Sequence, residues 1–275
     1  MSNETGERRR QSRAAGLVRW VAPIAVGVAV LAAWEATVRL REIPEYRLAA
    51  PSVIAKTLYF HWPELAAAWA VTVKTMIAAL LAAVATGVGL AAAFSLSRVV
   101  EASLLPYAVI LQVTPLVAVA PFIVMWVGSD RVWQTQVVCA WIVAFFPILS
   151  NTAIGLRSVD GGLRDLFDLY GATRRQKLCW LLAPSALPYF LAGLKVSANL
   201  ALVGAIVAEF VIGVEAERPG LASIIFAGMT RLDTKMMLAA LGLVSLTGVA
   251  TFFGMNLLSS WLLGGWHESA VKGEG

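Results

Sequence analysis

Charge is scarce in this sequence: Asp, Glu, Lys and Arg make up 14% of its 275 residues, against roughly 25% in an ordinary water-soluble domain. That scarcity excludes a conventional soluble fold. Cysteine is limited to Cys139 and Cys179, which fall on separate predicted helices, so no disulfide framework is expected. Histidine occurs only as His61 and His267, and without a Cys-x-x-Cys pair a zinc site has no ligand set. The glycine-rich phosphate loops Gly-x-x-x-x-Gly-Lys-Ser/Thr and Gly-x-Gly-x-x-Gly are both absent, so the chain has no nucleotide site of its own. The zinc-protease helix and the nucleophile elbow are missing too, and no acidic pair faces another within an apolar run. Neither a cofactor nor a catalytic constellation is expected.

Apolar residues supply 59% of the chain, and the mean hydropathy is +0.75. Requiring about 20 mainly apolar residues per crossing, six runs qualify, near 20–38, 72–95, 104–127, 133–156, 187–212 and 237–262. The expected fold class is therefore an all-α integral membrane protein with six transmembrane helices. A net charge of +5 would suit nucleic acid, but the basic residues gather in the N-terminal tail and between apolar runs. Membrane orientation explains them better, and no nucleic-acid partner is expected.

Arg8, Arg9, Arg10, Arg13 and Arg19 place the N-terminus in the cytoplasm by the positive-inside rule. The run behind them is long enough to remain as an uncleaved first helix. Six crossings return the C-terminus to the same side. The expected organisation is a cytoplasmic tail over 1–19, a single transmembrane domain over 20–265 and a cytoplasmic tail over 266–275. The segment 39–63 holds Pro44, Pro51 and Pro63, too many for one continuous helix. Residues 213–235 read as a loop and a short interfacial helix.

The longest cytoplasmic loop, 157–186, is conspicuously charged. Leu163, Leu166, Phe167 and Tyr170 recur at i, i+3, i+4 and i+7, one stripe of a helix whose other sides carry Arg164, Asp165 and Asp168. Gly171 can end that helix in the left-handed conformation without steric penalty. Thr173 with Gln176 forms a T-x-x-Q capping box that starts a second helix, and Pro184 and Pro188 are expected to interrupt it. The pattern is helix, glycine corner, helix. An amphipathic hairpin on anionic lipid would share it, but a lipid-bound helix needs no fixed corner, so a protein partner fits better.

Gly171-x9-Leu181-x-Ala183-Pro184 resembles the EAA-G-x9-I-x-L-P loop of the membrane subunits of bacterial binding-protein-dependent ABC importers. The stretches AAPSVIAKTL, QVTPLVAVAPFIVMWVG and WHES resemble the branch that carries nitrate, sulfonates and taurine, and the likeness extends over most of residues 34–268. The resemblance implies a permease of the bacterial inner membrane with N- and C-termini cytoplasmic. It also implies three kinds of partner: a cytoplasmic ABC ATPase dimer, a periplasmic solute-binding protein and a second permease copy. ATP hydrolysis would then lie on the separate subunit. Asp165, Leu166, Phe167, Tyr170, Gly171, Arg174 and Pro184 fall in the segment that would couple to the ATPase. Asp165 stands where the family has Glu, and Leu166 and Phe167 where it has two alanines.

Pro115 and Pro121 should break or kink the third run, and discontinuous helices often line a translocation route. With Gln112 and Thr114 they mark a candidate pathway, joined by Asn199 and Glu209 from the fifth run. The uncharged members also suit hydrogen bonding between helices, and Glu209 could pair near the interface instead. Glu35 reads as an interfacial anchor. Gly87 and Gly89 allow close helix contact. The main rival is an ion-coupled secondary transporter, which calls for a carboxylate at mid-membrane; here the carboxylates sit at run ends. For the solute, a thiamine-type pyrimidine or a riboflavin precursor is the alternative.

Overall fold

The computed structural model of the chain describes residues 4–128, 130–212 and 219–264, with side chains from residue 22 onward. Every regular element among the described residues is helical. In order these are α1 (Glu4–Leu40), α2 (Pro51–Phe60), α3 (Trp62–Leu96), α4 (Arg98–Val113), α5 (Leu116–Val127), α6 (Val132–Arg157), α7 (Gly161–Leu169) and α8 (Arg174–Lys177). A π-helical turn (Leu178–Leu182) leads into α9 (Ala183–Ile212), followed by α10 (Leu221–Arg231) and α11 (Thr234–Leu263).

Among the described residues, five unbroken stretches are long and apolar enough to cross a membrane: Ala22–Leu40, Trp62–Leu96, Val132–Arg157, Arg174–Ile212 and Thr234–Leu263. The remaining expected crossing is a bent pair, α4 and α5, which meet at 109°. Proline explains the bend. Pro115 has no N–H to continue the helical ladder and pushes Thr114 into extended backbone, φ −73° and ψ 125°. Pro106 and Pro121 lie inside their helices, so of the two expected breakers only Pro115 breaks the chain.

Two other prolines act as starters. Pro51 opens α2 and Pro63 lies in the first turn of α3, where a missing N–H has no helical acceptor to leave unpaired. The expected interruption at Pro184 and Pro188 does not occur, and Arg174–Ile212 runs as one apolar stretch of 39 residues. At Pro184 the π turn accounts for it: the Ala183 N–H reaches back to Leu178 O, five residues away. That widened turn relieves the clash a proline ring makes with the preceding turn.

By internal contacts the chain divides into two units, Met1–Trp62 with Gly228–Ala239, and Pro63–Ala227 with Ala240–Gly275. In the first, Ala50 has no side-chain oxygen to cap α2, and Glu35 of α1 does the task. Its Oε2 accepts from Ser52 N at 3.0 Å and its Oε1 from Ser52 Oγ at 2.7 Å. Arg39 pairs with the same carboxylate, so the anticipated anchor is a remote helix cap.

The second unit is built on the α6–α9 seam. A Cβ at Gly193 would lie 2.7 Å from Pro147 O, and one at Gly204 would lie 2.8 Å from Ala140 Cα. Fully buried Ala140, Ala144, Ala198, Ala201 and Ala205 continue this close approach. In lipid, where apolar surface gains nothing by leaving its surroundings, such backbone proximity supplies the dispersion contacts that hold helices together. Of the two glycines expected to pack, Gly87 faces Ile148 and Leu149, whereas Gly89 has nothing within 4 Å.

Candidate functional site

Between α6 and α9 the chain leaves the bundle and returns through a short elbow. Asp160 caps its first helix, α7, with Oδ1 accepting from Gly162 N at 2.8 Å and Leu163 N at 3.3 Å. At the other end Gly171 adopts φ +65°. Its N–H donates to Asp168 O at 3.0 Å and the Ala172 N–H donates to Phe167 O at 2.9 Å, the paired closure of a Schellman cap. Thr173 then opens α8. Its N–H donates to Gln176 Oε1 at 2.8 Å, and Gln176 N donates to Thr173 Oγ1 at 3.3 Å, completing the expected capping box.

Long-range contacts stiffen the elbow further. Lys177 of α8 pairs with Asp168 of α7, and Arg164 Nη2 donates to Leu156 O at the end of α6 at 3.1 Å. Each helix cap is worth about 1 kcal/mol. Together they give nine residues of helix a defined direction that their length alone would not sustain.

No residue of α7 is buried. Leu166 is 45% exposed, Leu169 83% and Tyr170 81%, while Phe167 is half-buried. The outward apolar surface is thus not quite the expected stripe: Leu169, absent from it, contributes more surface than Phe167 does. Asp165 and Arg174 are exposed and make no ion pair with a described residue. Pro184 is exposed in the first turn of α9.

Of the candidate pathway residues, Thr114 and Asn199 take partners one helical turn away. Gln112 and Pro115 are exposed at the α4–α5 bend, and Thr114 Oγ1 donates to Ile110 O at 2.6 Å. Asn199 Nδ2 donates to Lys195 O at 3.3 Å within α9. Glu209 is fully buried. Its Oε2 accepts from Thr72 Oγ1 and from Ala222 N, both at 3.0 Å, and Thr72 Oγ1 in turn accepts from Leu221 N at 3.0 Å. Glu209 therefore caps α10 from a distance, as Glu35 caps α2. Gly220 lies so close that a Cβ there would overlap the carboxylate.

Nothing beside Thr72 in the sequence marks its role, because its partner lies 137 residues away. Lys74 is a second residue of this kind. Its Nζ sits 4.5 Å from the Trp133 ring centroid, a cation–π contact, and a lysine near the start of an apolar run was the available signal.

The family described as "Binding-protein-dependent transport system inner membrane component" matches residues 83–264, more than half the chain and the whole elbow. A probable ABC transporter permease protein of Haemophilus influenzae is 28% identical over 246 residues, 90% of this chain and 96% of its own length. A riboflavin transport system permease protein of Chloroflexus aurantiacus is 32% identical over 87% of this chain and 88% of its own. A formylaminopyrimidine transport permease protein of Halalkalibacterium halodurans is 35% identical over 60% of this chain and 63% of its own. Permeases named for aliphatic sulfonates and taurine match as well. The chain is a multi-pass membrane transport component rather than an enzyme, and it belongs to the family of inner-membrane permeases of binding-protein-dependent ABC importers.

Proposed function

We propose that α7 and the Gly171 corner are the seat of a cytoplasmic ABC ATPase, and that nucleotide-driven closure of an ATPase dimer tilts the membrane helices through this elbow. The observation that carries the reading is a capped, braced helix whose Leu166, Leu169 and Tyr170 have nothing to cover them within the described chain. A ligand moves a two-state equilibrium only by binding one state better, and a stiff lever lets a distant closure distinguish the two. Asp165 and Arg174 supply free charges of both signs for docking. On this reading both chain termini lie in the cytoplasm, and the transporter comprises two permease copies and two ATPases, fed by a periplasmic solute-binding protein.

The two span-borne glutamates discussed above support this over an ion-coupled carrier. Glu35 and Glu209 each hold a helix N-terminus, a structural task that leaves them poorly suited to binding and releasing a coupling ion. The test is reconstitution: the purified permease should co-isolate with its ATPase, and uptake should require ATP and survive collapse of proton and sodium gradients. Gradient-dependent uptake without an ATPase would overturn it.

The solute is a small compound of one of two classes. The flanking stretches of sequence support nitrate, sulfonate or taurine, and the relatives named for riboflavin and a formylaminopyrimidine support a small heteroaromatic compound. Thermal-shift screening of the cognate binding protein separates them, since a ligand raises stability by mass action.

A further inference from the structure

Where α3 ends and α4 begins, the second unit forms a half-open cavity of about 820 Å³ bordered also by the end of α6, by α7 and by α8. Four cations line it, Arg98, Arg157, Arg164 and Lys177, against two carboxylates, Glu101 and Asp168. Arg157 pairs with Glu101 and Lys177 with Asp168, which consumes both acids. Arg164 uses one N–H on Leu156 O, and Arg98 has no ion-pair or hydrogen-bond partner among the described residues. Two guanidinium groups with most of their donors free therefore face one cleft.

A guanidinium offers five N–H donors in a planar fork that matches phosphate oxygens. The first turn of α4, which carries Arg98, adds the partial positive charge of a helix N-terminus. The rest of the wall is greasy, with Phe94, Leu105 and Leu181 among the lining residues. Apolar α3 and α6 both terminate here, which places the cavity at headgroup depth. Basic pockets between membrane helices at that depth suit anionic headgroups, and the mixture of cations and apolar wall suits a phosphate attached to an acyl glycerol better than a free anion.

We propose that this cavity holds the phosphate headgroup of an anionic phospholipid, gripped by Arg98 and Arg164, and that the lipid braces α7 against α4 and α6. The consequence for ATP use rests on the coupling reading above; lipid capture itself does not.

The experiment is native mass spectrometry of the purified full-length permease, alone and with its ATPase, after incubation with phosphatidylglycerol, with phosphatidylcholine, or with phosphatidylglycerol plus excess inorganic phosphate. Phosphatidylglycerol should be retained in preference to phosphatidylcholine. Arg98→Gln and Arg164→Gln should each lower that retention roughly fivefold, the ordinary strength of one basic side chain toward anionic lipid, while Arg131→Gln should not. Arg98→Lys serves where a glutamine variant does not fold, and should keep most of the retention because it keeps the charge. Unchanged retention in Arg98→Gln and Arg164→Gln overturns the proposal, and displacement by inorganic phosphate overturns the lipid as its occupant. An ATPase that fails to associate with the lipid-loaded permease counts against the coupling reading and leaves the lipid site standing.

Discussion

Gly171 offers the sharpest test of the elbow. Its φ of +65° is a conformation that costs an L-residue roughly 1–2 kcal/mol, and a Cβ placed there meets nothing within 4 Å. The whole penalty is therefore backbone strain, with no steric contribution from neighbours. If the strained corner opens, the Ala172 to Phe167 and Gly171 to Asp168 hydrogen bonds are lost and α7 no longer holds its direction. An apparent affinity falls by the fraction of molecules in the competent state, and 1–2 kcal/mol corresponds to roughly 5–30-fold. Gly171→Asn should stay near wild type, because asparagine tolerates the left-handed region. Gly171→Ala should weaken ATPase binding by up to roughly 5–30-fold, the full factor being reached only where the strained corner is mostly open, and Gly171→Val by at least as much as Gly171→Ala. The assay is titration of the purified ATPase onto permease in lipid nanodiscs, with melting of the permease followed in parallel. Melting should fall only slightly, by no more than the roughly 1–2 kcal/mol lost at the corner, since the corner is exposed and outside the α6–α9 seam. Wild-type affinity in Gly171→Ala and Gly171→Val would refute the reasoning, as would losses that track melting.

Two further predictions concern packing and polar burial. Glu209→Leu strands the Ala222 N–H, at about 1–3 kcal/mol for a buried donor left unpaired, while the Thr72 hydroxyl keeps Ala68 O at 3.3 Å as an acceptor, whereas Glu209→Gln keeps an acceptor in place for Ala222; hydrogen exchange at the Ala222 amide should accelerate in the first variant far more than in the second, and equal exchange would dismiss the cap. Gly193→Ala drives a Cβ against the Pro147 carbonyl and should cost about 1–3 kcal/mol as overpacking, while Gly89→Ala, with open space around it, should be silent; comparable melting of the two variants would contradict the seam described here.

Hydropathy and local chemistry determined much of this protein from the sequence alone. Because a crossing needs about 20 apolar residues whatever its neighbours do, the spans were legible to within several residues at most of their ends. The elbow was legible for a similar reason: Gly171, Thr173 and Gln176 act on backbone groups only a few residues away, so their pattern carries their geometry. Pro115 announced the bend in the same way, though not its 109° angle.

The tertiary structure decided whatever depends on residues far apart in the chain. Nothing adjacent to Glu209 says that Thr72 and the first turn of α10 will close around it, and nothing adjacent to Glu35 says that it will cap α2. A proline's effect likewise depends on whether the helix around it can rearrange, so Pro184 read as a stop but sits beside a π turn that lets the helix continue. Cations spaced along four helices became one basic cleft only when those helices packed together. Local backbone preferences act within a turn or two, whereas burial and electrostatics act through space, and the fold alone brings those distant partners together.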